Sequence, residues 1–239
     1  MHWGQTRNHS FHVPEVTTYE GGRDGPRTTS SASQGPLVGE PAAEWFKQGL
    51  KQRTGTLTGT GELIGSLLLS QVFTHHGQIL QVKPSTALQR DDFKRANVII
   101  LGGPRQNPIF RELQAGLNFI YPAQEAGCVL NVRPAPGEAA RYKSDLDSSG
   151  TGVDYAVVSK LNDPVSGYLI LLFGANTGIS VEAGVRYFTN PSHVKFLLER
   201  LRTGSSGLPD SYQVLLEVSS RNAGPEDVHY VTHRAIPSE

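Results

Sequence analysis

The stretch that decides the fold is VIILGGPRQN, residues 98–107. Its first four residues are all apolar and mostly β-branched, which is typical of a strand buried on both faces of a sheet. Residues 102–104 end that strand abruptly, and helix signals resume at Pro108. A second stretch, LILLFGANTG at 169–178, repeats the design. The sequence therefore predicts two buried strands that each run through a glycine turn into a helix.

Outward from these two stretches, apolar residues recur alternately at helical and at strand spacing. Helices are predicted at 41–52, 62–75, 108–114, 181–188 and 191–202, and strands at 79–82, 98–101, 117–121, 128–132, 155–158, 169–173, 212–218 and 228–232. This order favours a three-layer, Rossmann-like α/β fold whose mixed sheet ends in an antiparallel pair of terminal strands.

Composition divides the 239 residues into three parts. Residues 1–40 are rich in Gly, Pro, Ser and Thr, so they bury too little apolar surface to offset the ordering of the backbone, and we predict a disordered tail. Residues 41–58 are predicted to be a short helix and a linker, and residues 59–239 an α/β domain. An upstream domain missing from this chain would account for the untypical first 40 residues.

Charge and cysteine content narrow the classes of partner. Lys plus Arg and Asp plus Glu both number 22, so no net field attracts nucleic acid or an anionic membrane. The single cysteine, Cys128, excludes an intramolecular disulfide and a multi-thiolate metal site. We therefore predict no nucleic-acid partner, no metal and no cofactor.

Targeting signals are not evident in the sequence. The first residues lack the apolar core of a signal peptide, and the most apolar internal stretches fall short of the roughly 20 residues that span a bilayer. We expect a soluble cytoplasmic chain that does not insert into a membrane.

The two glycine turns predict a ligand crevice. In open α/β sheets, ligands bind beyond the carboxyl ends of the strands, where helix N-termini favour anions and an arginine fork suits a carboxylate or phosphate. The candidate ligand-binding residues are Gly102, Gly103, Arg105, Asn107, Asn176, Thr177, Gly178, Ser180 and Glu182. The same glycines and capping residues also suit any tight turn from a strand to a helix. Neither turn carries a complete P-loop or dinucleotide motif.

Other polar positions carry weaker signals. The glycine-rich segment at 59–65 precedes a predicted helix but lacks the apolar strand that a nucleotide loop follows, so we interpret it as a linker with helix-start residues. His75 and His76 are adjacent, and adjacent side chains diverge on a helix, which makes them a poor pair of metal ligands.

Four parts of the chain resemble a known module. They are LLSQVFTHHG (68–77), IILGGPRQN (99–107), DYAVVS (154–159) and the stretch from GANTG to FTNP (174–191). Together they resemble a poorly characterised α/β module in the C-terminal regions of multidomain bacterial proteins, notably from acidobacteria. The likeness covers about residues 60–236, although residues 103–105 depart from the commoner first loop. It implies a regulatory or sensory role and assigns no catalytic residue.

Three functional hypotheses follow from these observations. The leading one is a noncatalytic regulatory domain that binds a small polar or anionic ligand and passes its occupancy to an attached module or protein partner. An enzyme would use the same crevice for hydrolysis or group transfer on a nucleotide or phosphorylated metabolite, with Glu182 or Glu138 as general base. A protein-interaction module would use the terminal strands or the helix at 41–52.

Overall fold

The computed structural model describes residues 59–163, 166–202 and 207–237, together with the backbone of residues 11–14. Its helices are α1 (Thr60–His75), α2 (Pro108–Leu113), α3 (Gly178–Thr189) and α4 (Pro191–Leu201). Its strands are β1 (Phe11–Pro14), β2 (Leu80–Lys83), β3 (Asn97–Leu101), β4 (Phe119–Ile120), β5 (Cys128–Asn131), β6 (Arg141–Lys143), β7 (Gly152–Asn162), β8 (Leu169–Ala175), β9 (Ser211–Arg221) and β10 (Gly224–Ile236).

The larger sheet has seven strands in the order β10-β9-β7-β8-β3-β1-β2, and β4, β5 and β6 form a second, antiparallel sheet. Strands β2, β1, β3 and β8 run parallel to one another, whereas β7 pairs antiparallel with β8 and β9, and β9 pairs antiparallel with β10. The predicted mixed α/β class is confirmed. Because β3 and β8 are parallel neighbours, with Leu101 opposite Phe173, their glycine turns leave the same edge of the sheet.

Both faces of the larger sheet are covered. Ile99 and Leu101 of β3 contribute to a core shared with α1, α3 and α4, whereas Val98 and Ile100 contribute to a core shared with α2 and the small sheet. Successive side chains of a strand point to opposite faces, so a strand between two cores must be apolar at every position. This requirement explains the unbroken apolar run that the sequence analysis started from.

The terminal strands β9 and β10 form the expected antiparallel pair, but both are longer than predicted. Asn222 and Ala223 form the turn, with positive φ angles of 51° and 58°. Two consecutive residues of positive φ give the twist that suits a tight hairpin.

Strand β1 corrects the prediction of a disordered tail for residues 11–14. These residues lie between β2 and β3 and pair in parallel with both. The pairing joins positions far apart in the chain, so composition within the segment gives no sign of it. The rest of the predicted tail and the predicted helix and linker at 41–58 lie outside the described residues.

Among the described residues, no helix combines the length and the apolarity that a membrane crossing demands.

Candidate functional site

The two predicted glycine turns meet at the carboxyl edge of the larger sheet. The backbone N–H of Gly102 donates to the carbonyl of Phe173 at 3.1 Å. Gly103 lies so close to Ala175 that a Cβ there would overlap the Ala175 carbonyl oxygen. The turns are therefore in backbone contact, and only a residue without a side chain fits at Gly103.

A third glycine segment joins the same edge, from the start of α1. A Cβ on Gly61 would overlap the carbonyl oxygen of Gly178, at the start of α3. We call Gly61, Gly102, Gly103 and Gly178, together with the side chain of Glu62, the glycine edge. The sequence analysis interpreted residues 59–65 as a linker with helix-start residues, and in the structure this segment begins α1, which contacts α3.

Glu62 occupies the centre of the glycine edge. Its Oε2 lies 3.1 Å from the position of a Cβ on Gly178, and its Oε1 lies 3.6 Å from that of a Cβ on Gly102. Oε2 is buried and has no hydrogen-bond partner. Burial raises the pKa of the Glu62 carboxyl, and a hydrogen bond from its own backbone N–H opposes that rise only in part. A buried acceptor without a partner costs free energy, and such positions are common at binding and catalytic sites.

A second carboxylate lies at the start of α3, on β7. Asp154 is 1% exposed, and its Oδ2 accepts hydrogen bonds from the hydroxyls of Thr177 and Ser180, each at 2.7 Å. Its Oδ1 is buried and has no partner. The start of α3 thus has Glu62 beside Gly178 and Asp154 beside Thr177. Although a helix N-terminus favours anions, these two carboxylates oppose a bound anion and favour a group that donates hydrogen bonds.

Two of the predicted polar residues cap helices, and a third, Ser180, is buried in the first turn of α3. The Asn107 side chain accepts from the backbone N–H groups of Ile109 at 3.0 Å and Phe110 at 3.2 Å, which caps α2. Thr177 accepts from the N–H of Ser180 at 3.3 Å and so caps α3. Ser180 is fully buried and bonded to Asp154. Capping occupies the acceptor oxygens that the sequence analysis assigned to a ligand.

The other predicted polar residues differ in their surroundings. Asn176 donates a long hydrogen bond of 3.5 Å to the carbonyl of Cys128. Glu182 is 7% exposed and pairs with Arg186 at 2.8 Å, one helical turn further on. Arg105 is exposed on the 102–107 turn. Of the two charged residues predicted for the crevice, Glu182 is buried and paired, whereas Arg105 is exposed to solvent.

The β7–β8 ladder contains a tyrosine hydroxyl beside this edge. Tyr121 accepts from the N–H of Val157 at 2.9 Å and donates to the carbonyl of Gly174 at 2.6 Å. Val157 and Gly174 are opposite each other in the two strands, so the hydroxyl bridges the ladder at that pair. A Cβ on Gly174 would overlap the ring of Phe110. These contacts fix the point where β8 enters its turn.

Glu138, one of the two predicted general bases, lies in a different cluster. It accepts hydrogen bonds from Asn131 at 3.0 Å, from the backbone N–H of Ala135 at 2.9 Å and from Thr232 at 2.7 Å, and it forms an ion pair with Arg234. Burial acts to raise the pKa of Glu138, but Arg234 and the other donors outweigh it and lower the pKa to about 2. Such a carboxylate is a weak base at neutral pH, so Glu138 joins the small sheet to β10 instead.

We predict that the Glu138 cluster stabilises the fold above about pH 4.5 and loses that effect towards pH 2. The pKa of Glu138 is below its ordinary value of 4.5 in the folded chain, so its contribution is present above 4.5 and disappears as pH falls to about 2. Urea unfolding of Glu138→Gln should show a loss of about 1–2 kcal/mol at neutral pH that shrinks as the pH is lowered.

Glu226→Gln is the matched control for this prediction. Glu226, on β10, also pairs with an arginine, Arg221, at 3.0 Å, but 48% of its side chain is exposed. Its replacement should change the free energy of unfolding by less than about 1 kcal/mol. A Glu138→Gln loss that stayed constant from neutral to acid pH would contradict the assignment.

Among the described residues, no three His, Cys, Asp or Glu side chains are grouped so that they could hold a metal ion. Cys128 is buried, and burial raises the pKa of its thiol. The glycine edge consists of backbone groups and the Glu62 carboxyl. No protein-family model matches the sequence, and comparison with curated proteins finds no relative of significant similarity.

Proposed function

We propose that this chain is a noncatalytic, regulatory small-molecule-binding domain whose ligand binds at the glycine edge. In this proposal the architecture is Rossmann-like and three-layered, with α1, α3 and α4 on one face of the larger sheet and α2 and the small sheet on the other. The placement of the site follows the general rule that ligands of open α/β sheets bind beyond the carboxyl ends of strands.

The observation that carries the proposal is the buried Glu62 oxygen without a partner. Bare backbone lies beside this oxygen at Gly59 and Gly178, and Gly102 lies beside the other carboxylate oxygen of Glu62. A ligand hydroxyl or amino group that donates to Glu62 would satisfy the oxygen, and bare backbone permits the close approach this needs. The ligand is thus a small polar molecule with a donor group for Glu62. An acidic group on the same ligand would be directed to Arg105.

We predict that Glu62→Gln weakens ligand binding by about tenfold or more without lowering stability at neutral pH. A hydrogen bond to a charged group contributes about 1.5–3 kcal/mol, whereas an amide of the same shape turns a donor towards the ligand's own donor. Because the pKa of Glu62 is raised, ionisation of Glu62 opposes folding as pH rises above its ordinary value. The neutral amide avoids that cost.

The measurement is calorimetry on the full chain against nucleosides, sugars, amino acids and their phosphorylated or carboxylated forms, with urea unfolding in parallel. Glu199→Gln is the control, since Glu199 is exposed on α4 and should leave both quantities unchanged. Absence of binding across these classes, or equal affinity in Glu62→Gln and wild type, would remove the proposal. A large loss of stability would show that Glu62 acts in folding.

A second candidate function is hydrolysis or group transfer on a nucleotide or phosphorylated metabolite. The raised pKa of Glu62 favours it, since a carboxyl that stays protonated closer to neutral pH can act as a general acid. Glu62 would then take the place of Glu182, which is paired with Arg186. Incubation of the wild-type chain with the bound compounds should yield product at a rate that falls as pH rises and that Glu62→Gln abolishes.

A further inference from the structure

A cavity of about 590 Å³ lies at the opposite end of β8 from the glycine edge. Its walls come from the segment between β2 and β3, from α2, and from the paired residues Leu161 and Ile170 of β7 and β8. Ile170 is near the amino end of β8, whereas Gly174 is near the carboxyl end. The cavity and the glycine edge are therefore separate places on the protein.

The walls are largely apolar and belong to the second core, beneath α2. The apolar side chains that line the cavity are Leu88, Phe93, Ile109, Leu113, Leu161 and Ile170. Leu88 and Ile170 are each 7% exposed, and the other four are partly buried against the same core. A volume within roughly 300–1,000 Å³ and an apolar lining are characteristic of small-molecule sites.

Arg90, Glu112 and Asp163 are the charged residues that line the cavity. The Asp163 carboxylate accepts a hydrogen bond from the Ser166 hydroxyl at 2.6 Å. Arg90 and Glu112 lie 3.2 Å apart and pair with each other, and 89% and 65% of their side chains are exposed. An exposed ion pair of this kind contributes little stability, but each charge compensates the other. A ligand with a charged head would have to break the ion pair of Arg90 and Glu112. An uncharged polar group can form a hydrogen bond to either residue while the ion pair stays intact.

We propose that this cavity binds an uncharged apolar molecule with a single polar end, such as an aliphatic alcohol. The hydrocarbon part contacts the six apolar side chains, and the hydroxyl lies beside Arg90 and Glu112. Burial of the hydrocarbon provides the free energy, at about 0.8 kcal/mol for each CH₂ group removed from water. The proposal uses no residue of the glycine edge and does not depend on the function proposed for that edge.

The test is titration of the full chain with 1-octanol, octanoate and octylamine, which share a chain length and differ in the charge of the head. We expect 1-octanol to raise the Tm and to shift the NMR signals of Leu88, Leu113 and Ile170 selectively. Octanoate and octylamine should bind at least about tenfold more weakly. No binding of 1-octanol, or tighter binding of either charged compound, would overturn the proposal.

Leu113→Trp fills part of the cavity from α2 and should weaken 1-octanol binding by about tenfold or more. Ile79→Trp is its control, because Ile79 is 83% exposed and lies outside the cavity. Should Leu113→Trp fail to fold, Ile109→Phe makes a smaller change to the same wall. Wild-type affinity in a folded cavity variant would overturn the proposal, and unchanged 1-octanol binding in Glu62→Gln would show that the two sites are independent.

Discussion

Replacement of Gln213 by alanine is expected to lower the free energy of unfolding by about 3 kcal/mol or more. Gln213 is 1% exposed on β9, and its side chain makes four hydrogen bonds to protein groups. Its Oε1 accepts from the backbone N–H groups of Asn118 and Phe119, each at 2.8 Å. Its Nε2 donates to the Phe119 carbonyl at 2.9 Å and to the Ser159 hydroxyl at 3.1 Å.

The size of the effect follows from the groups that alanine would leave behind. Both N–H groups and the carbonyl belong to the backbone at the start of the small sheet, and Asn118 and Phe119 are buried. Each buried polar group without a partner costs about 1–3 kcal/mol, and a domain of this kind has a total stability of about 5–15 kcal/mol. One side chain therefore accounts for a large fraction of the stability, because it joins the two sheets.

Urea unfolding of the two variants Gln213→Ala and Gln81→Ala tests this. Gln81 is also a strand glutamine, on β2, but it is exposed, so its replacement should change the free energy of unfolding by about 0.5 kcal/mol or less. Equal unfolding midpoints for Gln213→Ala and wild type would mean that the small sheet does not depend on this side chain.

Most of the fold could be predicted because local patterns decide it. Predicted helices at 62–75 and 191–202 match α1 and α4 closely, and on α4 the apolar residues recur on one face. Strand β6 has the sequence RYK and an exposed pattern, so it lacks the apolar run that marks a buried strand. Strand β1 depends on neighbours far along the chain. Both were missed because pairing, not composition, makes them strands.

The candidate site was predictable in place but not in its chemistry. Parallel strands with glycine turns must end at one edge, so the meeting of residues 102–103 with 174–178 follows from the sequence. Asn107 and Thr177 were assigned to a ligand, but the same residue types also cap helices, and the structure uses them so. Glu62 was missed because its position depends on how α1 crosses α3. The sequence signal that could have identified Glu62 is its position directly after the two glycines Gly59 and Gly61, at the start of a helix.

The contact between α1 and α3 leads to a second prediction. We expect Gly61→Ala to lower the free energy of unfolding by about 2 kcal/mol or more. A Cβ on Gly61 would overlap the carbonyl oxygen of Gly178, and both partners are backbone atoms at helix starts. No side chain can rotate away, so the two helices must separate. Because Glu62 is the next residue along α1, the separation would also displace its carboxylate, and the ligand binding proposed for the glycine edge should be lost.

Gly184→Ala is the matched control. It is the same substitution on α3, the helix that α1 contacts, but we expect it to leave the stability unchanged or to raise it. A Cβ on Gly184 would lie 3.6 Å from Val158 and 3.7 Å from Ala156, which is ordinary contact. Alanine is favoured over glycine within a helix by up to about 1 kcal/mol, so this variant should unfold at equal or higher urea concentration than wild type. The propensity gain is available at Gly61 as well, and only the overlap with Gly178 reverses it. If both variants were equally stable, α1 and α3 would not be in backbone contact, and the glycine edge would lack the close approach on which the proposed binding of a ligand depends.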